Sequence, residues 1–124
     1  MLSDSKAFSG FAVDDLEAAR RFYGETLEQQ VEVNDDEELT LHLVGDRPTE
    51  IYLSPNVTPP SYTILNFPVE DVDAAVEWLS GRGVQIEHYE GMGQEPNGVL
   101  KSDDTDIAWF KDPAGNTLSV LKVK

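Results

Sequence analysis

The chain has 124 residues, which suits one domain with a modest core. Twenty-four acids against nine bases give a net charge of −15, which repels nucleic acid and anionic membranes. Cysteine is absent, which excludes disulfides and thiolate metal sites and fits a reducing cytoplasm. No apolar run approaches the length needed to cross a bilayer, and the opening MLSDSKAFSG lacks the basic-then-apolar pattern of a signal peptide. The acidity has two readings: a soluble acidic surface, or a host with high internal salt, where screening removes the self-repulsion.

The first predicted element is a strand running into a helix, in FSGFAVDDLEAARRFY from Phe8. Phe11 and Val13 share one strand face, and Leu16, Ala19 and Tyr23 follow at helical spacing. Strands are predicted next at 29–34, 39–45 and 50–54. The acid run 34–38 between the first two reads as a solvated hairpin loop. Pro55 to Pro60 reads as a linker.

The pattern then repeats. ILNFPVEDVDAAVEWL from Ile64 aligns with the first stretch at an offset of 56 residues. Phe11 matches Phe67, Val13 matches Val69, Asp15 matches Asp71, Ala18-Ala19 matches Ala74-Ala75, and Phe22 matches Trp78. Val72, Ala75, Val76 and Leu79 give the second helix its apolar stripe, acids crowd both helix starts, and Gly81 and Gly83 mark the second helix end. Strands are predicted at 84–90, 107–111 and 117–123. The later strands align at an offset of 67, so the second copy carries a longer loop near 91–105. A loop of about fifteen residues opening on Gly91-Met92-Gly93 is either a lid or a floppy segment. The cluster Asp103-Asp104-Thr105-Asp106 lacks the glycine and terminal glutamate of a calcium loop and reads as solvated. In FKDPAGNTLSV, Asp112-Pro113 opens a turn and Gly115-Asn116 tolerates positive φ. Beyond it Ser119 points to the face opposite Leu118 and Val120. The expected fold is α+β: two βαβββ modules in tandem, about 6–54 and 61–124, whose mixed, curled sheets enclose a cavity within a single domain.

FAVDDLEAARRFYGETL near the start and AWFKDPAGNTLSVL near the end, joined by this repeat, resemble the vicinal oxygen chelate superfamily. That superfamily includes glyoxalase I, ring-cleaving dioxygenases, fosfomycin-resistance enzymes and bleomycin-resistance proteins. Glu28 departs from the pattern, which often has glycine after the first helix. The resemblance implies a divalent metal in the cavity, held from equivalent strands. Carried over position by position, the ligands fall on Phe8, Tyr52, Ile64 and Ser119. None is a normal ligand for Mg²⁺, Mn²⁺, Fe²⁺ or Zn²⁺. The expectation is therefore no metal, no cofactor and no assigned catalytic residue, with the four side chains lining a ligand pocket instead.

Four further residues join that candidate ligand-binding set. His42 alternates with Leu41 and Leu43 in a strand and aligns with Trp109. It is a cavity-facing imidazole, for ligand contact or general-base work, or a hydrogen-bonded structural histidine. Asn66 sits in an apolar strand, as a cavity donor and acceptor or a structural hub. Tyr89 has the parity of a pocket residue, and Trp109 is core or an aromatic wall. His88 reads as a solvated strand end. A displaced metal site from His42, Glu50, Glu87 and His88 has no supporting short ligand spacing. The leading expectation is a cytoplasmic protein that binds a small, partly apolar molecule and leans away from enzymatic activity. The resemblance implies a homodimer. The alternative is a lyase, isomerase or dioxygenase using displaced metal ligands or no metal, with His42 and Tyr52 the first suspects. A third reading is a ligand-free domain retained for subunit association.

Overall fold

A computed structural model describes residues 1–35 and 37–124. The chain divides into two compact units, Met1–Thr58 and Pro59–Lys124. In the first, a short 3₁₀ turn (Leu2–Asp4) precedes β1 (Ser9–Val13) and α1 (Leu16–Arg20), which continues as a π-helical turn over Arg21–Thr26. Then come β2 (Gln30–Asp35), β3 (Glu38–Leu43) and β4 (Arg47–Leu53). The second unit repeats the plan with β5 (Thr63–Pro68), α2 (Val72–Gly81), β6 (Leu100–Lys101), β7 (Thr105–Lys111) and β8 (Thr117–Val123). The sheets run β1-β4-β3-β2 and β5-β8-β7-β6. β1 pairs parallel with β4 and β5 parallel with β8, while the other pairs are antiparallel. This is the α+β tandem of two βαβββ modules. Each sheet is open, with two free edges, and does not close on itself.

The repeat is explicit at the helix starts. Asp15 Oδ1 accepts the Ala18 N–H at 3.0 Å, and Asp71 Oδ1 accepts the Ala74 N–H at 3.0 Å. Each cap satisfies a backbone donor that the helix itself leaves unpaired. The apolar parity of the strands then selects the buried face. In the first unit Phe11, Val13, Leu39, Leu41 and Ile51 are buried, and the Phe11 ring lies 5.7 Å from that of Tyr23, which fixes this as the helix-covered face. In the second unit Val72, Val76 and Leu79 of α2 are buried, as are Ala108, Phe110, Leu118 and Val120 of the sheet. Side chains of the opposite parity occupy the helix-free faces, where every candidate site residue in a strand falls.

Three details differ from the sequence expectation. The stretch 84–90 is not a strand: it makes one bridge, Ile86 to Phe110, and the edge strand of this sheet is β6 instead. The 34–38 run is not a free loop, because Asn34 belongs to β2 and Glu38 to β3; Asp36 lies outside the described residues. In the DPAGN turn only Gly115 has positive φ (95°), and a Cβ there would sit 3.0 Å from Pro59 Cγ. Glu28 has φ 57°, in the left-handed region. The backbone conformation explains why glycine suits that position and what the glutamate must tolerate.

Candidate functional site

The register of the first sheet sets Gly10, Glu50, Thr40 and Glu32 in one row across β1, β4, β3 and β2. Ala12, Tyr52 and Glu38 form the next row in one direction, and Pro48, His42 and Gln30 the next in the other. This helix-free face is polar and acidic. The Asn34 amide donates to Thr40 Oγ1 at 2.8 Å, Glu38 Oε1 at 3.1 Å and Glu50 Oε2 at 3.3 Å. The Thr40 hydroxyl donates to the Glu50 carboxylate at 3.0 and 3.1 Å. His42 Nε2 lies 2.9 Å from Glu32 Oε1. Tyr52, 47% exposed, stands in the row next to this network's, and Phe8, 65% exposed, lies just before β1. His42 and Tyr52 thus share a face but stand in rows at its opposite ends.

Glu32, Asn34, Glu38 and Thr40 escaped the sequence reading. Their signal was the polar alternation Glu32-x-Asn34 and Glu38-x-Thr40-x-His42, which an acid-run label concealed. Burial, and then the neighbouring Glu38 carboxyl, raise the pKa of Glu50 above the ordinary carboxylate range. A carboxyl whose folded pKa is raised favours the fold below its unfolded value and loses that contribution as pH rises through the folded value. Glu50→Gln keeps the acceptor for Thr40 and removes the like charge. It is expected to raise stability at pH 7 by a few tenths of a kcal/mol, about the size of a cross-strand charge term. The gain should vanish at pH 4. Urea unfolding at the two pH values checks this, and a variant less stable at both would count against it.

In the second sheet, Asn66, Ser119 and Trp109 form one row across β5, β8 and β7. Ile64 shares the parity of Asn66. The Ser119 hydroxyl donates to Asn66 Oδ1 at 2.6 Å and is fully buried. Asn66 is exposed, and its Oδ1 is the atom that Ser119 engages. The Glu87 N–H donates to the Trp109 carbonyl at 2.8 Å, which brings the chain after β7's bridge alongside the same row. Tyr89 meets Trp109 edge to face, with centroids 5.7 Å apart and planes at 74°. Burial, and then the Glu87 carboxylate, raise the Tyr89 phenol above its ordinary pKa, so the ring stays neutral. Lys111 Nζ stands 3.7 Å from Glu87 Oε1. Ile64, Asn66, Tyr89, Trp109 and Ser119 are thus gathered on one side of this unit.

Of the residues weighed for a displaced metal site, His42 and Glu50 lie in the first unit and Glu87 and His88 in the second. Among the described residues no group of three or more His, Cys, Asp or Glu is arranged to hold a metal ion. No helix among them is long and apolar enough to cross a membrane.

The sheet order, the paired caps and the DPAGN hairpin define a recognised class. The model of the Glyoxalase/Bleomycin resistance protein/Dioxygenase superfamily matches residues 8–120. The chain belongs to that superfamily. Among solved structures it is similar to TnmS3, an antibiotic binding protein from Streptomyces sp. CB03234, at 23% identity and a TM-score of 0.70 over 98% of both chains. A glyoxalase/bleomycin resistance protein from the same organism is 25% identical, with a TM-score of 0.61 over 92% of this chain and 98% of that one. The fosfomycin resistance protein FosX from Mesorhizobium loti is 16% identical, with a TM-score of 0.67 over 98% of this chain and 93% of that one. No curated protein matches the chain in sequence.

Proposed function

We propose that this protein binds a small, partly apolar molecule, neutral or cationic, without a metal. The observation that carries the reading is the edge-to-face pair of Tyr89 with Trp109, which stands in the same row as the exposed amide of Asn66. Two rings at an angle offer an apolar corner, and one amide fixes the orientation of whatever fills it, which is how small-molecule sites are usually built. Ile64 extends the apolar surface, and Ser119 holds Asn66. Phe8, His42 and Tyr52 are proposed as contact residues of the first unit by itself, where the acidic network around Glu50 favours a cationic group over an anionic one. The four positions to which the resemblance assigns metal ligands support the metal-free part. Phenylalanine and isoleucine have no donor atom, and the Ser119 hydroxyl is already donated to Asn66. The antibiotic-binding and fosfomycin-resistance relatives of this fold make sequestration of a toxic compound the natural role. A cytoplasmic homodimer belongs to the same proposal.

One observation favours a second reading. His42 is held by Glu32 at 2.9 Å, the arrangement of a base oriented by a carboxylate. With Tyr52 on the same face, this would suit a metal-free lyase or isomerase of the superfamily.

The two tryptophans make the binding reading testable. In a Trp78→Phe background Trp109 is the sole indole emitter. A library of small aromatic compounds, cationic, neutral and anionic, should contain members that quench or shift this emission saturably. Tyr89→Ala should weaken such binding roughly tenfold, equivalent to 1.4 kcal/mol. A library with no saturable binder, or binders indifferent to Tyr89→Ala, would overturn the assignment.

A further inference from the structure

The helix-covered side of the second unit carries a separate feature. An open groove of about 750 Å³ runs between α2 and the segment after it. Its floor is Val76, Val84 and Ile86, all buried, with Pro96 alongside. Glu77 and Ser80 of α2 form one rim, and Gln85 and His88 the other. Ile86 points to this side and Glu87 and Tyr89 to the other, so the groove and the aromatic corner are on opposite faces.

The groove exists because the chain leaves the sheet after Ile86, and side chains hold it in that course. Gln94 accepts the Tyr89 N–H at 2.6 Å and donates to the carbonyls of Glu87 at 2.9 Å and Gly98 at 2.6 Å. Asn97 donates to Asp73 Oδ1 on α2 at 2.8 Å and accepts the Val99 N–H at 3.1 Å. The His88 ring nitrogens stand 3.2 Å from the carbonyls of Ile86 and Pro96. Gly98 fits closely, since a Cβ there would meet Ile86 Cγ2. The far wall is therefore fixed by hydrogen bonds and packing, and the groove needs no rearrangement to admit a ligand.

Charge selects the occupant. Asp73 is neutralised by Lys101 at 3.1 Å and also accepts a hydrogen bond from the Asn97 amide. Glu77 makes no hydrogen bond or ion pair among the described residues and stands one helical turn along the same rim. An apolar floor with one uncompensated carboxylate at its edge matches an organic cation: an ammonium group on a hydrocarbon or aryl body. We propose that this groove is a second binding site, for such amphiphilic amines, independent of the aromatic corner.

The test uses 4-phenylbutylamine, with 4-phenylbutyrate as a probe of opposite charge and similar body. Each is titrated into the ¹⁵N-labelled full chain while the amide spectrum is followed. The amine should shift the amides of Ser80, Gln85, Ile86 and Asn97 saturably, and the butyrate should not. Glu77→Gln, an exposed and isosteric change, should weaken the amine roughly tenfold, and Trp109→Ala should leave these shifts intact. Shifts confined to the Tyr89–Trp109 side, no saturable shift at millimolar amine, equal binding of the butyrate, or indifference to Glu77→Gln would each overturn the proposal. The first of these would leave the aromatic-corner reading standing; loss of emission changes at Trp109 alone would leave the groove standing.

Discussion

Replacing Asp112 with alanine is expected to destabilise the second unit by about 3 kcal/mol, given the size of charge-assisted hydrogen bonds and of buried unpaired donors. The carboxylate is only 4% exposed. Its Oδ1 accepts the N–H groups of Ala114 at 3.0 Å and Asn116 at 2.8 Å, and its Oδ2 accepts the Asn116 amide at 3.0 Å. The Asp112 N–H in turn donates to the Asn116 carbonyl at 2.9 Å, closing the loop. Alanine would strand the Asn116 N–H in a buried position and free the turn that sets β7 against β8. The register of that pair places Ser119 beside Trp109, so the effect would reach the candidate site. Asp112→Asn keeps one acceptor for the two N–H groups but turns a donor toward the Asn116 amide, and should cost about half as much. Thermal and urea unfolding read the result. A loss below about 1 kcal/mol for Asp112→Ala, within the range of an ordinary substitution, would show that the turn is held by other contacts.

The second large effect concerns salt. Raising KCl from low concentration to about 1 M, where the Debye length falls from tens of ångströms to about 3 Å, is expected to stabilise the protein by roughly 2 kcal/mol. The repulsion is sharpest where acids crowd: Asp14 with Asp15, Glu37 with Glu38, Glu70 with Asp71 and Asp103 with Asp104 along the chain, and Glu38 with Glu50 across the sheet. Two like charges about 8 Å apart in water repel by roughly 0.5 kcal/mol at low salt. The basic side chains are too few to offset them, and Arg20 and Arg21 both pair with Glu17. The melting temperature should rise by roughly 5–10 °C, steeply at first and then level. Sucrose at equal osmolality should not reproduce the initial rise. A flat salt response would remove charge repulsion as a term in stability, and with it the reading of a surface suited to a saline interior.

Much of the fold was legible because the sequence states it twice. Asp15 and Asp71, Phe11 and Phe67, and the paired alanines carry the same strand-to-helix instruction, and both copies fold alike. The stretch 84–90 was misread for a physical reason. Its alternation of Val84, Ile86 and His88 is that of a strand, and Ile86 does reach Phe110. But Gln94 takes up the main-chain groups of Glu87 and Tyr89, which a ladder would otherwise use. Side-chain capture from five and seven residues away has no period for a sequence to display. The acid run 34–38 was legible in part: it is the solvated hairpin end of β2 and β3, but Asn34 and Glu38 also join a network whose other members, Thr40 and Glu50, come into reach only through strand register. Trp109 and Tyr89 could be placed on one face by parity. Their edge-to-face contact required the turn-out of the chain after the bridge.

Native mass spectrometry of protein purified from cell extract, after incubation with Mn²⁺, Zn²⁺ and Ni²⁺, tests the central claim most directly, because one spectrum reports both organic and metal adducts. A metal-free binder should appear as the bare chain or with a small organic molecule attached, and should carry no metal that survives desalting. One divalent ion retained per chain would contradict the account and return the protein to metal-dependent chemistry.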